Sequence, residues 1–120
     1  MDLARYLDRL DPATYEDDEP VVVYETDSGD ADVLHIPERL FWRLVRVGQA
    51  YELHHVPLLG GVEPVRLGRA QCTALCDELA FVAERVDDRL AGAAAHSVIT
   101  YVEVRVRRPG AEAYVTFEGN

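Results

Sequence analysis

Lysine is absent from this chain of 120 residues, cysteine occurs twice, and methionine and tryptophan occur once each. No stretch approaches the roughly 18 consecutive apolar residues that a membrane span requires. The start Met1-Asp2-Leu3-Ala4-Arg5 lacks the basic-then-apolar order of a secretory signal, so a cytosolic protein is expected. Cys72 and Cys76 are too few for a disulfide scaffold, and a hydrophobic fraction of 48% has to hold the fold by packing. That length and composition suit one soluble domain spanning 1–120, with an acidic connector around 11–20. All twelve basic residues are arginine, a bias expected of a GC-rich genome. Catalytic and cofactor motifs are also missing: Gly60-Gly61 has no following lysine and no phosphate fingerprint, and no cofactor is expected.

What is abundant is negative charge. The formal net charge of -10 argues against a nucleic-acid ligand, because a phosphate backbone is bound through a basic footprint that releases counterions. Anionic membrane surfaces are disfavoured for the same reason. The acidity is lopsided, since eleven of the 22 acidic residues lie within 1–32, where only Arg5 and Arg9 oppose them. The run Glu16-Asp17-Asp18-Glu19 and the turn carrying Asp27, Asp30 and Asp32 are therefore either a solvated acidic face or a surface that speeds capture of a basic protein.

Periodicity organises the rest. Leu3, Tyr6, Leu7 and Leu10 recur at helical spacing behind Asp2, and Asp11-Pro12 ends that helix. Val21 to Tyr24 and Val33 to Ile36 read as two strands of a hairpin around Asp27-Ser28-Gly29-Asp30. A helix follows Pro37, with Leu40, Phe41, Leu44, Val47 and Tyr51 on its apolar face and Gly48 weakening its last turn. The segment 54–64, with two prolines and a glycine pair, reads as a pinned crossing loop. Cys72, Leu75, Cys76, Leu79, Val82, Ala83 and Val86 mark an amphipathic helix over about 69–86, with Asp77, Glu78, Glu84 and Arg85 outside. The next segment has two readings: Val98, Thr100, Val102, Val104 and Val106 alternate like a strand, while the alanine-rich start favours a helix. Residues 113–118 close the chain as a strand in either case. The expected fold is α+β, a small mostly antiparallel sheet packed against helices.

Candidate sites are few. Cys72 and Cys76 lie one helical turn apart and could offer two soft metal ligands, but they share the face of Leu75 and Leu79, where cysteine acts as a small buried hydrophobe. His54 and His55 could supply a base or a ligand, yet no acid or cysteine stands at a recognised ligand spacing from them. A pocket beneath the 57–64 loop using His54, His55, Cys72 or Cys76 is the enzyme or metal-binding alternative; no metal is the leading expectation. Phe81 lies about 200° around from Leu79, among polar positions, and Trp42 bears the same relation to Leu44. Both are candidate anchors for a partner, Trp42 with Arg39, Arg43 and Arg46 around it, or contacts for a homo-oligomer.

The order Val56-Pro57-Leu58-Leu59-Gly60-Gly61-Val62-Glu63-Pro64, then Gln71, then Asp77-Glu78-Leu79, and finally Pro109-Gly110 before Val115-Thr116-Phe117-Glu118-Gly119 resembles small, largely uncharacterised actinobacterial proteins. Some of these are similar to the immunity proteins that accompany polymorphic toxins. The resemblance covers residues 56–119 and departs at Val65 and Arg66, where a tyrosine and a glycine are common. It implies a proline-leucine loop, a helix with a Glu-Leu pair, a second helix packed antiparallel to it and a closing strand, and it implies no catalytic residue. The expected function is thus a non-catalytic factor that occludes a basic protein partner, of the immunity or antitoxin kind. Its partner-binding residues would be Glu16, Asp17, Asp18, Glu19, Asp27, Asp30, Asp32, Trp42 and Phe81.

Overall fold

The computed structural model describes residues 19–25, 33–61, 63–107 and 115–119. The expected helix over 3–10, the turn at 27–30 and the acidic residues Glu16, Asp17, Asp18, Asp27, Asp30 and Asp32 lie outside them.

Among the described residues four strands form one antiparallel sheet: β1 (Pro20–Glu25), β2 (Leu34–Pro37), β3 (Val65–Leu67) and β4 (Val115–Glu118). Their order across the sheet is β2-β1-β4-β3, so the first and last strands sit side by side at its centre. Register sets the faces. Val21 opposes Ile36, Val23 opposes Phe117, and Leu67 opposes Val115, which puts all six side chains on the same face, and all are buried. His35, Arg66 and Glu118 alternate onto the other face and are exposed. The β1–β2 hairpin is the one read from the sequence. The strand β3 is not legible there, since three residues are too short to show alternation; what defines it is pairing with β4.

Three described helices cover the apolar face: α1 (Glu38–Ala50), α2 (Arg69–Arg85) and α3 (Arg89–Val106). The strand reading of the valine-alternating segment is overturned. In α3 the buried positions are Ala91, Ala94, Ala95, Val98, Tyr101, Val102 and Arg105, a three-and-four repeat, whereas Val104 is 54% exposed. The alternation of valines is incidental to that repeat. Only three residues separate α2 from α3, so the two return antiparallel and pack closely, burying Cys72, Leu75, Cys76, Leu79 and Val82 from the α2 side. The fold is α+β, with an antiparallel helix pair in its C-terminal half. No described helix is long and apolar enough to cross a membrane.

Two joints fix the helices. Asp88 caps α3, its Oδ1 accepting the N–H groups of Leu90 and Ala91 at 3.2 Å, while Oδ2 pairs with Arg43 of α1. Gly48 does not merely weaken the end of α1: a Cβ there would lie 2.6 Å from Val56 Cγ1, so the glycine admits the loop against the helix. Past Gly48 the helix ends in a Schellman motif, with Leu53 N–H donating to Gly48 O at 2.9 Å and Glu52 N–H to Gln49 O at 3.0 Å. Glu52 carries the left-handed turn itself, at φ 56°.

Candidate functional site

The crossing loop is pinned as expected. Val56 and Leu59 are buried, and Pro57–Gly60 forms a single 3-10 turn. The pin itself was not foreseen. Glu78, read as an outward-facing residue of α2, reaches the loop: its two oxygens accept His55 N–H at 2.9 Å, Oε1 accepts Val56 N–H at 3.0 Å, and Oε2 lies 2.7 Å from His55 Nδ1. Desolvation opposes the charged form of Glu78, but the Val56 N–H and the His55 imidazole and N–H outweigh it and hold the carboxyl below the usual carboxylate range. His55 is thereby part of a structural clasp, and the acid that partners it lies 23 residues away, beyond any local spacing rule.

Neither half of the enzyme or metal alternative is assembled. Burial pushes the Cys72 thiol up to about 11, against a hydrogen bond from the Val115 backbone. Burial likewise pushes Cys76 up to about 11, and the charges of Glu103, Cys72 and Asp77 add to it. Both thiols are therefore protonated at neutral pH, while the nucleophile and the metal ligand are thiolates. His54 is exposed, and among the described residues no three His, Cys, Asp or Glu side chains are grouped so as to hold a metal ion.

The anchor candidates separate. Phe81 is half-buried, its ring edge-on to Tyr51 at 5.3 Å between centroids and under the Arg85 guanidinium at 3.7 Å. Trp42 lies about two and a half helical turns back along α1 from Tyr51 and belongs to a different surface. It is 37% exposed, and a Cβ on Gly60 would lie 3.2 Å from its Cζ3, so the indole rests on the glycine of the 3-10 turn. At about 100° per residue, Glu38 and Val45 fall to one side of Trp42, and Arg39, Arg43 and Arg46 to the other. Arg43 turns to Asp88, and Arg39 and Arg46 are exposed.

On the Glu38 side of Trp42 is a cleft of about 230 Å³, between the start of α1, the loop and the sheet. Its apolar lining comes from Val21 of β1, Phe41 of α1, Leu59 of the loop and Phe117 of β4. Phe41 and Phe117 stack with centroids 6.5 Å apart. Glu38 and Glu63 supply its carboxylates, and its described lining includes no basic residue. Neither carboxylate is in an ion pair among the described residues. Glu38 N–H donates to Glu19 O at 3.1 Å, so the last residue of the acidic run, itself exposed, adjoins the residue that starts the cleft wall. Glu38 and Glu63 were missed from the sequence because each is an isolated glutamate 25 residues from the other; a proline before Glu38 and after Glu63 was the only local signal that both sit at element ends.

The arrangement defines a small α+β domain with a side-chain-sized, acidic-rimmed cleft beside its single tryptophan. The chain matches no protein-family model, no curated protein and no solved structure.

Proposed function

We propose that this chain is a non-catalytic binding factor that occludes a basic protein partner, in the manner of an immunity or antitoxin-like protein. The observation that carries the reading is the position of the Trp42 cleft: the only tryptophan, partly exposed and seated on Gly60, stands one helical turn from Glu38, whose N–H donates to the carbonyl of Glu19, the last residue of the acidic run. An aromatic held in one place contributes contact area at low entropic cost, and carboxylates around it steer a cationic surface toward it. The thiols, protonated and buried, and His55, engaged by Glu78, add no reactive group to that surface.

The test is association kinetics between the purified chain and the protein encoded by the adjacent gene. The reading expects a stable complex whose association rate falls about tenfold or more from low to high salt, and falls comparably when Glu16, Asp17, Asp18 and Glu19 are neutralised together. An association rate indifferent to both changes, or no complex at micromolar concentration, overturns it.

A further inference from the structure

Resting on that reading, we infer that the Trp42 cleft is a pocket for one arginine side chain of the partner. Size is the first argument. Clefts that enclose drug-sized ligands run to about 300–1,000 Å³, and this one, at about 230 Å³, falls below that range and matches a single long side chain.

Charge is the second. The carboxylates of Glu38 and Glu63 border an otherwise apolar lining and are not neutralised by any described cation. The partial positive charge at the start of α1 is already met by Glu38, its first residue. An anion in the cleft would face two carboxylates; a neutral ligand would leave both unanswered. Arg39 and Arg46 stand on the opposite side of Trp42 and outside the lining.

Chemistry separates arginine from lysine. A guanidinium is planar and weakly hydrated, stacks on an indole face and presents forked donors to carboxylates, whereas an ammonium is a compact, strongly hydrated point charge. Val21, Phe41, Leu59 and Phe117 give the methylene stem an apolar bed while the charged head stays at the rim.

Because Trp42 is the sole tryptophan, its fluorescence reads the pocket directly. The intact chain is titrated at low ionic strength with the blocked pentapeptide Gly-Gly-Arg-Gly-Gly and with counterparts carrying citrulline, which has the same shape without the charge, or lysine. The arginine peptide is expected to saturate with half-effect at about 1 mM, a weak affinity suited to one side chain. Citrulline should bind about tenfold more weakly, lysine about threefold more weakly, and Glu38→Gln and Glu63→Gln should each weaken the arginine peptide about threefold. Circular dichroism of both variants verifies that they remain folded; both carboxylates are on the rim, outside the core. Equal response to arginine and citrulline, equal response to arginine and lysine, or wild-type affinity in both variants overturns the assignment. Any of these, with a salt-dependent complex still formed by the adjacent gene's product, removes the pocket and leaves the broader binding reading intact; absence of that complex removes the broader reading.

Discussion

At the scale of single residues, the structure holds side chains in positions that neighbouring sequence does not announce. Glu52 occupies the left-handed position of the α1 terminus, where a Cβ is unfavourable by about 1 kcal/mol. Glu52→Gly is expected to stabilise the fold by about 0.5–1 kcal/mol, measured as a higher urea midpoint at unchanged slope. Glu78 makes a different prediction. Its folded-state pKa lies below the ordinary 4.5, so over that interval the unfolded chain binds the extra proton. The stabilisation is fully present above the unfolded value and is lost as pH falls through the folded one. Melting temperature should therefore drop in the acid range more steeply for the wild type than for Glu78→Gln, and the two curves should converge at the lowest pH. Glu78→Ala, which strips the His55 and Val56 N–H groups of their acceptor, should lose about 2 kcal/mol at neutral pH.

At the scale of elements, the joint between α1 and α3 rests on Asp88, one carboxylate that both caps a helix and pairs with Arg43. Asp88→Ala should cost about 2 kcal/mol, and Asp88→Asn, which keeps a capping oxygen but drops the charge, about 1 kcal/mol or less. Urea titrations of the two variants distinguish them. These joints also mark how far the sequence could be read. The helix over 69–86 and the β1–β2 hairpin follow from local periodicity and match α2, β1 and β2 closely. Over 98–106 the sequence carried two periods at once, alternating valines and the three-and-four repeat of Ala91, Ala94, Ala95, Val98 and Val102, and burial of the second against α2 decides between them. The Trp42 cleft was half legible: tryptophan off the apolar stripe was a visible anomaly, whereas Glu38 and Glu63 meet only through folding.

At the scale of the whole molecule, Cys72 reports on global opening. Cys72 is fully buried, so its labelling by an aromatic disulfide reagent at mildly alkaline pH should be at least about a hundredfold slower in buffer than in denaturing urea, whereas Cys76, which lines a surface cleft with Thr73, Asp77 and Glu103, should label faster than Cys72 in buffer. Labelling of Cys72 at comparable rates in the two solvents would mean that α2 detaches locally.

The central pairing of β1 with β4 carries a consequence for biosynthesis. Val23 pairs with Phe117, 94 residues further along the chain, and among the described residues β3 pairs only with β4. A growing polypeptide can close the β1–β2 hairpin early, but one flank of β1 stays open until the codons around Phe117 have been translated and that segment has cleared the exit tunnel. Until that strand arrives, the hairpin is an incomplete sheet for the described helices to pack on.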